Sequence, residues 1–383
     1  MNQLGMNKLI YDKSLKIAVK KNPTITSISN YEAGQICLNK LKWLKGESAS
    51  LDYKLKISPM SNYQRYLLAA FLSKKKKEIL DREQKKYISP CPCFGDEEIF
   101  GLLSNDCISL TFSSFESELL DCIKENIISF FVYNNFGFRQ SKGFGCFSVI
   151  KINDEDIEET KKITILKNSH KYVYSKSITN DLKKIFNTIN SDYQLLKSGR
   201  NFDKYQKSKL FEYMKDEHHL RWEKRKIKLF LKNNHSDVFN DLKYEIVNYN
   251  CNRIEGGDEQ ENERFVFARA LLGLAEHIEF TTFENRGYNK DKVKIKMSEV
   301  SGLIDRFKSP LTFKVYDNNI YIIVDEIDEE MFNANFSFTL SYEKNQNRFE
   351  EYLFGLNTPT FNQFDLIEFL DSKLTLLGWK KIL

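Results

Sequence analysis

Twelve consecutive residues, Phe136 to Phe147, read FGFRQSKGFGCF and hold three glycines and four phenylalanines around Arg139, Gln140 and Lys142. Glycine at this density disfavours both helix and strand, because each one costs backbone entropy and offers no side chain to pack. The segment must therefore be a compact turn between two regular elements. Glycine also lets the main chain come close to a phosphate and adopt positive φ without strain. Arg139 and Lys142 add positive charge, and an aromatic ring can stack on an exposed base. The same residues would equally make a tight helix-to-strand turn with a solvated Arg and Lys, and both readings stand at this point. The segment precedes a strand instead of joining a strand to a helix, so it is not a dinucleotide fingerprint. Its spacing also excludes a Walker loop.

The elements around it alternate in type. Tyr53 to Ile57 alternates apolar and basic residues and is expected as a strand. A turn at Ser58-Pro-Met-Ser61 leads, with Ser61 as N-cap, into an expected helix from Tyr63 to Tyr87 that ends in the solvated run Lys74 to Lys77. Cys107 to Phe112 is expected as a strand, Phe115 to Ile128 as a helix, and Cys146 to Ile152 as a strand. Strand, helix, strand, helix, glycine loop, strand suits an α+β sandwich with helices on one face of an antiparallel sheet.

Ser177 to Tyr249 reads as helical and charged, with amphipathic segments at Asn180 to Ile189 and Lys207 to Lys232. Cys251 to Asn262 is a polar break. A second mixed block follows: a helix-like Phe265 to His277, a strand at Val293 to Met297, and a hairpin of Leu311 to Tyr316 and Asn319 to Val324 turned by Asp317-Asn318. A helix from Asn362 to Leu377 comes last. The expected division is 1–175, carrying the glycine-rich loop, then a basic helical region 176–250, then a second mixed domain 251–383.

Charge adds a little. The net charge is +5, from 58 basic and 53 acidic residues, too small to argue for a partner. Its distribution is uneven, with nine Lys and Arg between Lys204 and Lys228 and acidic clusters at Asp96 to Glu98, Asp154 to Glu159 and Asp258 to Glu263. A basic face with acidic margins suits a phosphate backbone, although a charged helix such as Arg221 to Lys228 is by default a solvated surface. Seven irregularly spaced cysteines fit reduced thiols in a cytoplasm. Cys91-Pro-Cys93 alone is a weak zinc signal. No run approaches the ~18 apolar residues of a membrane span. Met1 to Lys21 lacks the apolar core and cleavage site of a secretory leader, so a soluble, cytoplasmic chain is expected.

FGFRQSKGFGCFSV resembles the glycine-rich loop of the RAMP superfamily, the repeat-associated subunits of type III CRISPR effector complexes. Glu98-Ile-Phe-Gly101 is similar to that family's short Leu-Phe-Gly element, and Ser61-Asn-Tyr-Gln-Arg65 to its Ser-to-Arg segment at a helix start. Arg306-Phe-Lys-Ser-Pro-Leu311 and Ala270-Leu-Leu-Gly-Leu274 resemble segments of the first RAMP subunit of Cmr-type complexes. The matches keep the family's order from about residue 55 to 325. Departures are the shortened SPMS turn and a longer basic middle, including LKSGRNF at 196–202 and RWEKRKIK at 221–228. The resemblance implies tandem ferredoxin-like (RRM-like) domains around a helical middle. It also implies contact with guide RNA, target RNA or both, and with other RAMP subunits. The RNA-binding residues it implies are Gly137, Arg139, Gln140, Lys142, Gly143, Phe144 and Gly145 of the loop, with Arg65, Arg306, Lys308 and Ser309.

Signals for chemistry are sparse. The five histidines, His170, His218, His219, His235 and His277, show no H-x-x-x-H spacing, and the adjacent pair would point about 100° apart on a helix. His170 with Tyr172 and Tyr174 could imitate the acid-base pair of RAMP endoribonucleases that process guide precursors, the alternative enzymatic reading. Asp81, Asp96 and Asp106 read as turn residues rather than as a metal-holding cleavage loop. The expectation is binding without catalysis, no metal and no cofactor. A protein-binding scaffold whose glycine loop is only a turn is the reading from a different class.

Overall fold

The computed structural model describes residues 53–59, 65–69, 72–88, 101–104, 107–137, 139–168, 172–179, 181–201, 205–241, 263–275, 277–281, 292–304, 306–316, 318–344 and 347–382. It is a mixed α+β structure of small sheets with eight α-helices among the described residues. The chain divides into two compact units, 1–135 with 146–171, and 136–145 with 172–383.

In the first unit β1 (Lys54–Pro59) pairs antiparallel with β5 (Ile108–Ser113). A second sheet places β2 (Arg65–Leu68) between β3 (Lys86–Ile88) and β4 (Gly101–Ser104). Helix α1 (Lys74–Arg82) links β2 to the parallel β3. The helix expected over Tyr63 to Tyr87 is thus a strand, a helix and a strand. Its physical start is Ser73, whose Oγ accepts the Lys76 N–H at 3.2 Å, and the lysine run opens the helix instead of ending it. Leu80 turns inward onto Ala69 and Leu72, so β2 and β3 are recruited by pairing and packing that helical periodicity does not report. Ser61 lies outside the described residues.

Helix α2 (Ser117–Tyr133) buries Leu119, Ile128, Phe131 and Val132. Beyond the glycine loop, the strand expected over Cys146 to Ile152 is reduced to β6 (Lys151–Ile152), which pairs with β7 (Glu155–Asp156). Asn153 and Asp154, both at positive φ, turn that hairpin. Helix α3 (Glu159–Lys167) closes the unit, and its Ile165 carbonyl accepts from the Tyr133 hydroxyl at 2.6 Å.

The second unit is built on β8 (Val173–Ser177), α4 (Leu182–Lys197), β15 (Leu311–Tyr316), β16 (Asn319–Val324), α8 (Leu366–Leu374) and β19 (Lys380–Lys381). The strands lie side by side as β15-β16-β8-β19, all antiparallel. Element order βαββαβ with this strand order is the split βαβ motif. Both helices are capped by aspartate: Asp181 Oδ1 accepts the Lys183 N–H at 2.9 Å, and Asp365 Oδ1 accepts the Ile367 N–H at 2.8 Å. Such a cap contributes about 1 kcal/mol. On α4, Ile185, Ile189, Asp192 and Leu196 recur at helical spacing and are buried. β15 and β16 are buried at nearly every position, the pattern of strands covered on both faces. The sheet edge is fastened by Asp192, which accepts Lys176 Nζ at 2.7 Å and Trp379 Nε1 at 2.9 Å.

Two long insertions interrupt the motif. The first, between α4 and β15, holds the short pair β9 (Arg200–Asn201) and β10 (Tyr205–Gln206), then α5 (Lys209–His218), β11 (Leu220–Trp222), α6 (Glu223–Asn234), α7 (Ser236–Asp241), β12 (Arg264–Val266), β13 (His277–Thr281) and β14 (Lys292–Glu299). The second, between β16 and α8, is the hairpin of β17 (Asn335–Lys344) and β18 (Asn347–Asn357). Pairing of β14 with β17 joins the two insertions into one antiparallel sheet, β13-β14-β17-β18.

The amphipathic run Lys207 to Lys232 is broken at His219, which adopts positive φ and turns the chain into β11. The expected helix from Phe265 to His277 is instead β12 and a 3₁₀ turn at Ala268–Leu272, stopped by Gly273 at φ 103°. Parallel pairing of Arg221 with Phe265 and Trp222 with Val266 fixes that strand. The polar break at Cys251 to Asn262 lies outside the described residues.

Candidate nucleic-acid interface

The glycine loop packs within the second unit, against α4 and β15. Its two ends meet where the Phe136 N–H donates to the Gly145 carbonyl at 3.0 Å. At the far end the Lys142 N–H donates to the Arg139 carbonyl at 2.9 Å, closing a turn in which Arg139 itself lies at φ 53°. Between them the Ser141 carbonyl accepts the Phe313 N–H at 3.2 Å, and Lys142 bridges β15 in parallel register.

Each glycine has a different task. A Cβ on Gly145 would fall inside the van der Waals envelope of the Phe136 carbonyl. One on Gly143 would stand 3.1 Å from Ile189 Cδ1 and 3.5 Å from Val315. Gly137 has open space around it. The inner half of the loop is a joint, and its exposed part is the other half: Gly137 and Gln140 face solvent and Arg139 is half-buried. Phe144 is turned inward, its ring 4.4 Å from that of Phe186.

The Lys142 ammonium also points inward, onto the ring of Tyr193. Tyr193 gathers the other segments singled out in the sequence. Its hydroxyl donates to the Leu272 carbonyl at 2.6 Å, and Ser309 bonds to the same phenol, which burial pushes up to about 12. Leu274 N–H donates to the Phe307 carbonyl at 3.0 Å, and the Gly273 Cα lies so close to Ser309 that a Cβ would meet its backbone at 3.1 Å. Glycine loop, 270–274 and 306–311 thus converge on one face of α4. Ser309 is buried, with its Oγ accepting the Leu311 N–H at 3.3 Å. Arg306 and Lys308 are exposed beside it. Arg65 opens β2 in the first unit, and its side chain lies outside the described residues.

A charged group behind the joint was not singled out in the sequence. The Lys197 ammonium donates to the Gly273 carbonyl, and wholly buried Glu223 pairs with Arg269. Burial, then the neighbouring Arg269, pulls Lys197 down to about 7 against the pull of Glu223. Lys224, on the same helix turn as Glu223, is pulled down to about 7 by burial, Arg269 and Lys228. Three basic side chains thus stand around one carboxylate, and burial leaves two of them, Lys197 and Lys224, only partly charged near neutral pH. The signal was present in LKSGRNF and RWEKRKIK, but periodicity could not say that a lysine and a glutamate there turn inward.

Tyr174, one of the tyrosines considered for acid-base work, is buried and donates to Asp371 at 2.6 Å, with its phenol pushed far up by burial and that carboxylate. Tyr172 is exposed, and His170 lies outside the described residues, as do Cys91, Cys93, Asp96 and Asp106. Among the described residues no three His, Cys, Asp or Glu side chains gather as a metal site, and no helix is long and apolar enough to cross a membrane.

Fold and site together define an α+β chain whose split βαβ sheet clamps a glycine-rich loop beside a basic segment. Residues 8–200 match the family model described as the Cmr1 N-terminal domain, and residues 205–376 match the Cmr1 C-terminal domain. With nearly the whole chain covered, it belongs to the Cmr1 family, subunits of type III CRISPR Cmr complexes, as the short motifs implied. No curated protein and no solved structure matches the chain.

Two measurements check this geometry. Gly145→Ala is expected to cost about 3 kcal/mol in denaturant unfolding, the high end for one substitution, and Gly137→Ala only about 1 kcal/mol. Equal costs would contradict the joint. For Lys197 and Lys224 the folded pKa lies below the unfolded value, so the unfolded chain binds more protons between pH ~7 and ~10.4. Stability should therefore rise with pH across that window, by at most about 1.4 kcal/mol per pH unit for each group. The rise should shrink in Lys197→Met/Lys224→Met, and an unchanged slope would contradict the assignment.

Proposed function

We propose that the chain holds RNA without cutting it, as a RAMP subunit that contacts guide or target strand and packs on neighbouring RAMP subunits. What carries this reading is the convergence on Tyr193: the inner loop is fixed to α4, and the same anchorage fixes 306–309. Gly137, Arg139 and Gln140 are then presented on a rigid mount, with Arg306 and Lys308 on the second anchored segment. Preordered donors lose little conformational entropy when they meet a backbone phosphate. Base-independent contacts of this kind, from Arg, Lys and exposed amides, position a strand without reading its sequence.

In this reading the split βαβ sheet of the second unit is one ferredoxin-like copy. The first unit, with its β1–β5 pair and helix α2, derives from another, and the protein works in the cytoplasm. The roles within the loop are divided. Arg139 and Gln140 touch RNA, while Lys142, Gly143, Phe144, Gly145 and Ser309 hold the mount. Base stacking by Phe144 is replaced by its packing on Phe186.

Binding of a single-stranded RNA followed by fluorescence anisotropy tests the division. The triple variant Arg139→Ala/Arg306→Ala/Lys308→Ala should bind about tenfold more weakly near 0.1 M salt. Its log K against log salt should flatten by about 2, roughly 0.7 for each phosphate no longer neutralised. Unchanged affinity and slope would favour a surface that binds protein only.

A further inference from the structure

Phe361 stands 74% exposed. A single exposed apolar side chain is ordinary on a protein surface, and what sets this one apart is its mount. It opens a 3₁₀ turn, Phe361–Gln363, closed by a capping box in which the Thr360 N–H donates to Gln363 Oε1 at 2.9 Å. The residues before the turn are tied to the loop that leads into β17. The Asn333 N–H donates to the Pro359 carbonyl at 3.0 Å, and the Thr358 N–H to the Ala334 carbonyl at 2.9 Å. Thr358 is buried and holds the same loop through its hydroxyl, which accepts the Ala334 N–H at 2.9 Å and donates to the Met331 carbonyl at 2.6 Å. The Phe361 ring meets that of Phe332 edge-on, with centroids 5.4 Å apart, and Phe332 packs against the core. A large apolar side chain is thus held out in solvent on an anchored backbone.

The charge beside it narrows what it can meet. Asp328, Glu329 and Glu330 are exposed just before Phe332, at a 3₁₀ turn, Glu329–Met331, that the Met331 N–H closes on the Asp328 carbonyl at 2.9 Å. Among the described residues none of these three carboxylates is ion-paired. They would repel a phosphate backbone, so the charge argues against base stacking on this ring. A protein surface with Lys or Arg around an apolar recess complements it in both charge and shape.

We propose that Phe361 is a docking knob for a neighbouring subunit of the Cmr complex. It enters an apolar recess on that subunit, and the basic rim of the recess pairs with Asp328, Glu329 and Glu330. The inference rests on the packing between subunits put forward above and names a surface for it, independently of any RNA contact. Because the turn is already ordered, seating the ring immobilises only its two side-chain rotors.

The labelled full-length chain, titrated into a Cmr complex assembled without it, tests the knob, with a ten-nucleotide single-stranded RNA as a separate ligand. Phe361→Ala removes an exposed ring and should leave the unfolding midpoint near that of the wild type. Glu329→Lys/Glu330→Lys reverses charge at two exposed positions. Phe361→Ala should weaken docking by about thirtyfold, the loss for an aromatic hot spot, with RNA affinity unchanged. Charge reversal should slow association and weaken docking by about tenfold near 0.1 M salt.

Failure of the wild-type chain to dock would refute the packing itself, and this surface with it. Wild-type docking that neither variant weakens would refute this surface alone and leave the packing standing. Weaker docking in Phe361→Ala with no effect of charge reversal would overturn the basic rim. Lost RNA affinity in Phe361→Ala, with docking intact, would overturn the knob in favour of base stacking. Self-association of the isolated chain that Phe361→Ala abolishes, with docking intact, would overturn it in favour of a second copy.

Discussion

The Tyr193 hydroxyl donates to the Leu272 carbonyl at 2.6 Å, and the face of its ring receives the Lys142 ammonium. Around this one side chain of α4, three segments far apart in the chain are held in register: the glycine loop, the 3₁₀ turn at Ala268–Leu272 with Gly273, and the stretch leading into β15. Burial pushes the phenol up to about 12, so it remains a donor to Leu272 even in alkaline solution. A hydrogen bond from a buried group contributes only about 1 kcal/mol net. Its greater effect is geometric, because each segment's position is defined by the others and none can shift alone.

That arrangement explains what the glycines are for. The loop's density of glycine suggested a backbone laid bare for a ligand, and Gly137 is indeed exposed with open space around it. At Gly143 and Gly145 the close approach is between parts of the protein itself, Ile189 and Val315 in one case and the Phe136 carbonyl in the other. The basic residues divide in the same way. Lys142 spends its charge on Tyr193, whereas Arg306 and Lys308 stay in solvent. Residues that would count alike in a charge tally thus act oppositely, one setting the mount and the others extending from it.

Much of the fold was legible where a local pattern decides the outcome. The hairpin of β15 and β16, with Asn318 at φ 58°, follows from two apolar runs and a two-residue turn. Helices α2, α4 and α8 follow from apolar spacing, and the α+β class from their alternation with strands. Errors came where a distant partner overrides the local signal. Arg65–Leu68 and Arg264–Val266 look helical until parallel strands claim them, and His219 breaks a continuous amphipathic run by adopting a conformation that nothing in its neighbourhood demands. The short motifs pointed to the family. Their meeting at Tyr193, and the inward turn of Lys197 and Glu223, depend on partners distant in the chain and carry no local signature.

The central claim is that an anchored inner loop presents residues 137–140, beside 306–308, to a nucleic-acid strand. Photocrosslinking of a 4-thiouridine RNA to the assembled complex, read by mass spectrometry of the crosslinked peptides, addresses it directly. Crosslinks should fall on the peptide carrying Gly137 to Gln140 and on the one carrying Arg306 to Lys308. Crosslinks confined to other peptides of this chain, with both of these silent, would contradict the account.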